Sequence, residues 1–290
     1  MILVTGASGT AGSAVLNALL QQGTKVRALY RTAESAKQAP ANSNPVIGDY
    51  ADDSFSAALA DVDKVFLVCG PVPDLVKLES EAIDRCVRHG VKHIVQFSAL
   101  GAGTYPKSFP AWHIQVEAKL RSTGVNYTIL RPNSFMQNVL AYLAPTIRTQ
   151  SAFYGAMREA KCSLIDIRNV GEFAAKTLTT TGHENKTYEL NGPEAFTYAE
   201  TAKLISSAIG RQVNYVDLPA DQIRQSLLSM GMPQWQADAL VDLQAFYTDG
   251  IGGGDVDDGT IERVIGHPQT RLRDFLAENR NAFTSQAMSA

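Results

Sequence analysis

Short apolar runs alternate along the first half of the chain with segments in which apolar residues recur at helical spacing. The runs are rich in Val, Ile and Leu, which is typical of parallel strands that are buried on both faces. Strands are predicted at Ile2–Val4, Val26–Tyr30, 46–47, 64–68, His93–Phe97 and 127–130, and helices at 14–20, 54–59, 75–89 and 112–122. This alternation, with glycines closing several helices, predicts an α/β fold with a doubly wound parallel sheet.

The alternation weakens beyond about residue 140, where helical segments become more frequent. The segments predicted there are strands at 163–167, 187–190 and 213–216, and helices at 170–178, 197–209, 222–230 and 233–246. We therefore predict a core over residues 1–150, to which a segment at about 160–190 returns. A smaller, mostly helical C-terminal lobe is predicted over residues 191–290.

The first apolar run ends in the sequence TGASGTAG, directly before a predicted helix. Glycines at this spacing let the backbone turn tightly and approach a pyrophosphate, which the helix N-terminus then attracts. A plain glycine turn is the alternative, but the position between the first strand and the first helix favours a dinucleotide site. The predicted cofactor contacts in this loop are Gly6, Ser8, Gly9, Thr10, Ala11 and Gly12.

The ends of the second and third strands bear on which dinucleotide is bound. The second strand carries no acid at its tip, and Arg31 there can bond a 2′-phosphate, assisted by Arg27 and Lys37. This predicts NADPH/NADP⁺ in preference to NADH; a solvated strand-end charge is the alternative. After the third strand, Asp49 is predicted to accept a hydrogen bond from the adenine amino group while Tyr50 flanks the ring. A turn or N-cap role for Asp49 is an equal alternative.

Several segments together resemble a known family. They are TGASGTAG, GDY at 48–50, FSALGAG at 97–103, the long segment 112–138 and GHENKTYEL at 182–190. The chain resembles the NmrA-like branch of the atypical short-chain dehydrogenases/reductases, closest to its NADPH quinone oxidoreductase and triphenylmethane reductase subgroup. The resemblance covers nearly the whole chain. It implies an extended Rossmann core, an NADP(H) site and a variable C-terminal substrate lobe.

The catalytic residues of typical short-chain reductases are only partly present. Those enzymes use a serine with Tyr-x-x-x-Lys, whereas this chain has Ser98 and, at the second motif, His113-x-x-x-Glu117. Because His113 and Glu117 are one helical turn apart, Glu117 is expected to orient His113 and raise its pKa, making it a proton donor near neutral pH. The alternative is an ordinary helical pair or a ribose contact. Tyr105 is a second candidate donor, and Ser98 and Glu117 are also predicted cofactor contacts.

Two further segments are expected to border the cofactor or the substrate. One follows the fourth strand, and the other follows the strand at 127–130, at the sheet edge where ligands bind. The predicted contacts are Cys69, Gly70, Pro71, Pro132, Asn133 and Phe135. A redox role for Cys69 is not expected, because no second thiol or basic activator is near it in sequence. The glycines at 252–254, among acids, are expected to form a mobile loop.

Composition restricts the partners. The 290 residues include 26 Lys+Arg and 29 Asp+Glu, a net charge of −3, which gives no electrostatic case for nucleic acid or an anionic membrane. Three cysteines are too few for a disulfide framework or a cysteine-rich zinc site, so a reduced cytoplasmic protein without metal is expected. No apolar run is long enough to span a membrane, and no signal peptide precedes the first strand.

These features predict an NADPH-dependent reductase that transfers hydride to a small, electron-poor acceptor such as a quinone, a dye or a carbonyl compound. The alternative is a non-catalytic NADP(H)-binding redox sensor of the NmrA type, because the Tyr-x-x-x-Lys motif is missing. A sugar-nucleotide epimerase is a weaker third reading, since it needs that motif. A small-molecule substrate is expected, and the sequence leaves monomer and homodimer open.

Overall fold

The structure is a computed structural model that describes residues 1–284. The end of the predicted C-terminal lobe, residues 285–290, lies outside them. The strands are β1 (Ile2–Val4), β2 (Val26–Tyr30), β3 (Asn44–Ile47), β4 (Lys64–Leu67), β5 (His93–Phe97), β6 (Asn126–Pro132), β7 (Ala152–Gly155), β8 (Lys186–Leu190) and β9 (Asn214–Asp217).

The helices follow the same alternation through the first half of the chain. They are α1 (Thr10–Gln21), α2 (Ala33–Ala36), α3 (Asp53–Ala58), α4 (Leu75–Arg88), α5 (Ser108–Ser122), α6 (Met136–Asn138), α7 (Ala144–Gln150), α8 (Ile167–Thr179), α9 (Tyr198–Ile209), α10 (Ala220–Ser229), α11 (Gln234–Thr248), α12 (Thr260–Ile265) and α13 (Leu272–Glu278). A π-helical turn spans Val139–Leu143 and a 3-10 turn spans Arg280–Phe283. No helix within residues 1–284 is long and apolar enough to cross a membrane.

Seven parallel strands form the central sheet in the order β3-β2-β1-β4-β5-β6-β8. The order reverses between β1 and β4, which is the topological switch point of a doubly wound sheet. The predicted Rossmann-like α/β fold is therefore confirmed. Every residue of β1 and β5 is buried, as expected of strands covered by helices on both faces.

Thr5 fixes the carboxyl ends of the two strands at this switch point. Its hydroxyl donates to the carbonyl of Phe66 at 2.9 Å and accepts from the backbone N–H of Val68 at 3.0 Å. The side chain is fully buried, so both bonds are protected from water. The segment after β1 is consequently held in register with the segment after β4.

The chain divides into two compact units. The first comprises Met1–Pro132, Ile167–Leu190 and Ile261–His267, and the second comprises Asn133–Asp166, Asn191–Thr260 and the described part of Pro268–Ala290. The chain thus leaves the first unit at Pro132, earlier than the predicted boundary at residue 150. The returning segment begins at Ile167, and a second return at Ile261–His267 has no counterpart in the prediction.

The second unit contains a two-stranded parallel sheet of β7 and β9 with helices around it. Helix α9 confirms the helix predicted at 197–209: Thr197 and Glu200 form a capping box, and the helix ends at Gly210 in a left-handed conformation. The predicted strand at 163–167 is wrong. Within it only Ile165 forms a bridge, to Phe135, and the preceding Cys162 bridges Phe196 instead, so no continuous ladder forms.

Candidate functional site

The glycine loop lies at the carboxyl end of β1 and leads into α1. Gly6 has a φ of +58°, and the backbone N–H of Gly9 donates to the Gly6 carbonyl at 2.8 Å, which closes the turn. Gly12 packs on this turn so closely that an added Cβ would lie 2.6 Å from the Thr5 carbonyl oxygen. The structure brings all six predicted loop residues together; 8–10 are exposed, and Ala11 and Gly12 are buried.

The start of α1 suits an anion. Gly9, the N-cap residue, has an extended backbone and supplies no side-chain cap, and the first turn contains no acidic residue. The first-turn N–H groups of a helix have no partner within the helix, so they remain available to a ligand. Together with the helix dipole they attract negative charge. The loop therefore fits a pyrophosphate.

Arg31 follows β2 and is exposed. Within residues 1–284 its guanidinium forms no hydrogen bond or ion pair, so it is available to an anionic ligand. The two cations expected to assist it are held elsewhere. Arg27 donates to the carbonyls of Ala58 and Ala60, at 2.7 and 2.6 Å, and Lys37 pairs with Glu34. The expectation that Arg27 assists Arg31 is wrong, because its guanidinium caps the end of α3.

Asp49 and Tyr50 take structural positions at the end of β3. One carboxylate oxygen of Asp49 accepts from the backbone N–H of Ala51 at 3.0 Å, which is the turn role that the sequence left open. Tyr50 is buried, its ring stands edge-on to Phe55, and its hydroxyl donates to the Val68 carbonyl at 2.9 Å. A ring held in this way packs in the core, so the expectation that Tyr50 flanks an adenine is not supported by its placement.

Cys69, Gly70 and Pro71 follow β4 beside the glycine loop. Gly70 and Pro71 are exposed, whereas Cys69 is half-buried and its backbone N–H donates to Glu79 at 2.8 Å. Burial and, next, the neighbouring Glu79 raise the pKa of the Cys69 thiol to about 12, against a smaller opposing effect of Arg31. The thiol is therefore protonated and inert at neutral pH, in agreement with the expectation that Cys69 has no redox role.

Ser98, Glu117 and Arg131 form a buried charged network. Ser98 follows β5 and its hydroxyl donates to Glu117 Oε1 at 2.6 Å. Arg131 binds the same carboxylate in bidentate fashion, with Nε at 2.9 Å from Oε1 and Nη2 at 2.7 Å from Oε2, and Arg121 adds a contact at 3.0 Å. Glu117 is fully buried, so the network neutralises a carboxylate that would otherwise be costly.

His113 is one turn before Glu117 on α5 and is 8% exposed. Its Nδ1 is buried without a hydrogen-bond partner among the described residues. Burial lowers the pKa of His113 to about 4, and the opposing effect of Glu117 is smaller. Glu117 thus acts in the expected direction, but burial outweighs it, and the expectation of a raised pKa and a proton donor near neutral pH is wrong. At neutral pH, His113 is an uncharged imidazole and not an imidazolium acid.

Tyr105, the second candidate donor, is buried in the loop after β5. The loop turns at Gly101, whose carbonyl accepts from the backbone N–H groups of Thr104 and Tyr105 at 2.9 and 2.8 Å. Gly101 and Gly103 both have positive φ, which lets the chain reverse twice within a few residues. The turn fixes the backbone of Tyr105, and a role for its hydroxyl stays a prediction.

Pro132 ends the first unit, and Asn133 opens the second as the hub of a buried polar network. The Asn133 amide donates to Ser163, Asn191 and the Gly253 carbonyl, each at 3.0 Å, and its oxygen accepts from Tyr247 at 3.0 Å. The amide is thus fully engaged within its unit. Contact of Asn133 or the half-buried Phe135 with a cofactor stays a prediction.

The late glycine cluster is held in place by this network. Gly253 has a φ of +90°, and an added Cβ there would overlap the ring of Tyr247. Its carbonyl accepts from the backbone N–H of Ser163 at 2.8 Å in addition to the Asn133 amide. The expectation of a mobile loop therefore fails at Gly253, because aromatic packing and two hydrogen bonds fix its backbone.

Comparison with known proteins identifies the family. Residues 1–277 match the NmrA-like family. The chain belongs to the NmrA-like family. It is similar to the NAD(P)H azoreductase of Xenophilus azovorans, with 36% identity over 286 residues, 98% of this chain and 99% of that protein. Quinone oxidoreductase 2 of Escherichia coli is 31% identical over 283 residues, 96% of this chain and 98% of that protein.

Solved structures agree with this assignment. The NADPH complex of the E. coli quinone oxidoreductase QOR2 has a TM-score of 0.88 at 30% identity and covers 96% of this chain and 99% of its own. The triphenylmethane reductase of Citrobacter sp. with NADP(H) has a TM-score of 0.84 at 25% identity, covering 97% and 100%. The NmrA-like chain is therefore similar in fold to these two reductases over 96% and 97% of its length.

Two residues of this NmrA-like protein make contacts that the sequence analysis did not assign. Arg131 neutralises Glu117 across 14 residues of chain, and Glu79 holds the backbone of Cys69. Neither lies at a helical or strand spacing from its partner, so no local pattern signals the contact. The described residues contain no group of three or more His, Cys, Asp or Glu side chains placed to hold a metal ion.

Proposed function

We propose that this protein is an NADPH-dependent reductase of small, electron-poor acceptors such as quinones and dyes. The observation that carries the proposal is the charge-paired network of Ser98, Glu117 and Arg131 in a chain that lacks the Tyr-x-x-x-Lys of typical short-chain reductases. The names of its relatives, an azoreductase and a quinone oxidoreductase, support the same class of acceptor. NADPH, when bound, would supply the hydride.

The residues of the first unit fit this cofactor. The unfilled N–H groups at the start of α1 would bind the pyrophosphate, and the unpaired Arg31 would bind the 2′-phosphate. The segment at 69–71, which borders the glycine loop, would line the path toward the reacting end.

The site's own residues favour an acceptor that needs no strong acid. The proton of Ser98 is directed at Glu117, so the Ser98 oxygen faces a ligand as an acceptor. The charge of Arg131 is neutralised by the same carboxylate, and His113 is uncharged at neutral pH. A quinone spreads the incoming negative charge over its ring, and a cationic dye cancels it. An aliphatic ketone, in contrast, must receive a proton as it accepts hydride.

A panel of acceptors tests the proposal directly. We expect steady NADPH oxidation with benzoquinone, an azo dye or a cationic triphenylmethane dye, at kcat/KM values at least about 100-fold above that for an aliphatic ketone, the equivalent of about 3 kcal/mol. NADPH oxidation is followed at its absorbance maximum under anaerobic conditions. A ketone that reacts as fast as the quinone would overturn the assigned acceptor class.

Arg31 provides a second test, of cofactor choice. We expect Arg31→Ala to weaken NADPH binding by about 10- to 100-fold, because one charge-assisted contact to the 2′-phosphate is lost. NADH binding should stay within about twofold, since NADH lacks that phosphate. Both affinities are measured by calorimetry. Lys37→Ala is the matched control, because Lys37 already pairs with Glu34; an unchanged NADPH/NADH ratio in Arg31→Ala would contradict the assignment.

A redox sensor is the second candidate. The site favours a sensor in one respect: the Ser98 proton is directed at Glu117, and His113 is uncharged at neutral pH, so neither readily gives a proton to an acceptor. A sensor needs to bind NADP(H) without turning it over. Tight binding of NADPH and NADP⁺ together with no oxidation by any member of the acceptor panel would favour the sensor over the reductase.

A further inference from the structure

Glu79 is a buried acid that the proposed mechanism does not use. It lies on α4 and is 0% exposed. Its Oε1 accepts from the backbone N–H of Cys69 at 2.8 Å, and its Oε2 faces the Gln96 amide nitrogen at 3.4 Å. Within residues 1–284 no lysine, arginine or histidine forms a hydrogen bond or ion pair with it. It is thus placed very differently from Glu117, which two arginines neutralise.

The surroundings of Glu79 suit the neutral acid. The 3.4 Å contact to Gln96 is long for a hydrogen bond to a carboxylate. The Gln96 oxygen is buried without a partner, and reversal of this amide would offer that oxygen to the proton of a neutral Glu79. Burial raises the pKa of Glu79 to about 8, outweighing the two hydrogen bonds that lower it.

Glu79 is linked to the glycine loop through the segment that follows β4. An added Cβ at Gly6 would be 2.8 Å from the Val68 side chain, so the loop rests on the residue before Cys69. The backbone of Val68 is held by Thr5 and Tyr50, and that of Cys69 is held by Glu79. The segment after β4 is therefore clamped between the phosphate loop on one side and the carboxyl group on the other.

The titratable groups that face Glu79 from its neighbours are Tyr50 and Cys69, and Cys86 lies on the same helix. Burial raises the pKa of the Cys69 and Cys86 thiols to about 12 and that of Tyr50 well above its usual value, so all three stay neutral up to pH 9. Two further charged groups act on this cluster: Arg31 lowers the pKa of Cys69, and Asp49 raises it. Glu79 is consequently the group of this cluster whose charge changes between pH 7 and 9.

We propose that Glu79 couples dinucleotide binding to proton uptake: its neutral form supports an anionic cofactor on the adjoining loop, and its carboxylate form opposes that cofactor. The inference rests on the proposed function in one respect, the binding of an anionic dinucleotide at the glycine loop. A carboxylate in the low-dielectric interior repels the cofactor phosphates more strongly than an exposed one does. By linkage, the bound cofactor holds the proton on Glu79, and the buffer supplies that proton.

Calorimetry tests the coupling without any enzymatic turnover. NADPH is titrated into the protein at pH 8.5 in two buffers of different ionisation enthalpy, and the difference gives the number of protons taken up. We expect about half a proton at pH 8.5, none at pH 6.5, and a roughly tenfold rise in Kd between pH 7 and 9.5, as a one-unit rise in the pKa of Glu79 on binding requires.

Glu79→Gln, which mimics the neutral acid, should abolish the proton uptake and flatten the pH dependence while keeping the Kd at pH 7 within about threefold. Glu81→Gln, on the same helix but only half-buried, is the matched control and should keep both effects. The inference is overturned if Glu79→Gln takes up protons as the parent does, or if the parent binds NADPH without proton uptake; the parent measurement decides even if the variant fails to fold. Absence of NADPH binding at every pH would instead overturn the proposed function itself.

Discussion

A methyl group added at Gly12 is expected to abolish NADPH binding and to lower the free energy of unfolding by about 3 kcal/mol or more. The new Cβ would lie 2.5 Å from the Gly6 carbonyl carbon and 2.6 Å from the Thr5 carbonyl oxygen, and closer still to the Gly6 oxygen. All three atoms belong to the backbone, so no side-chain rotation relieves the overlap. Either the turn opens or α1 moves away from β1, and both changes disperse the N–H groups that would bind the pyrophosphate.

Gly23 offers a matched control for this substitution. It follows the other end of α1 with a φ of +70°, and an added Cβ would have nothing within 4 Å. Gly23→Ala should therefore cost only about 1 kcal/mol, from its left-handed backbone, and leave NADPH binding unchanged. Chemical denaturation gives the stabilities and calorimetry gives the affinities. A Gly12→Ala protein with the parent's stability and Kd would show that the loop is not packed as described.

Glu117→Leu, which removes the buried carboxylate, is expected to lower the free energy of unfolding by about 3–5 kcal/mol. The variant would leave Arg131, whose side chain is 15% exposed, without its bidentate partner, and Ser98 without its acceptor. Most of the cost comes from a cation that remains partly buried with only its 3.5 Å contact to the exposed Glu189 to compensate it. Denaturation at several salt concentrations measures it, and the effect should persist at high salt because the pair is shielded from solvent.

A double-mutant cycle separates this charge effect from simple loss of packing. Adding Arg131→Leu to Glu117→Leu should raise the free energy of unfolding again by about 2 kcal/mol or more, since both members of the pair are then absent. Arg121→Leu alone should cost far less than Arg131→Leu, because its side chain is more exposed and makes a single contact to the carboxylate. Additive effects of Glu117→Leu and Arg131→Leu would contradict the described coupling.

The sequence predicts the parts of this site that depend on local pattern. Three glycines between a strand and a helix predict the glycine loop. The absence of an acid at the end of β2 draws attention to Arg31 as a candidate ligand for a 2′-phosphate. The spacing of His113 and Glu117 correctly predicts that both lie on α5, where both are buried. The sign of the His113 pKa shift could not be predicted, because burial of the imidazole lowers the pKa by more than Glu117 raises it, and burial depends on long-range packing.

The same limit explains the errors in the second half of the chain. The residues at 163–167 have the pattern of a strand, but only Ile165 forms a bridge, to Phe135, whereas the preceding Cys162 bridges the distant Phe196. Tyr50 is predicted from its position after β3 to flank an adenine ring, yet its ring is buried and its hydroxyl donates to the Val68 carbonyl. Long-range packing, which no short pattern encodes, decides each of these positions.

The first unit is assembled from three separate stretches of chain, and this has a consequence for its synthesis. Strand β8, which completes the sheet beside β6, and helix α8, whose Gly171 lies against Ala14 of α1, are both encoded after residue 166. During translation β6 therefore carries an open edge, and α1 an uncovered face, until about residue 190 has emerged from the ribosome. The glycine loop is therefore synthesised before the strand and the helix that complete its scaffold.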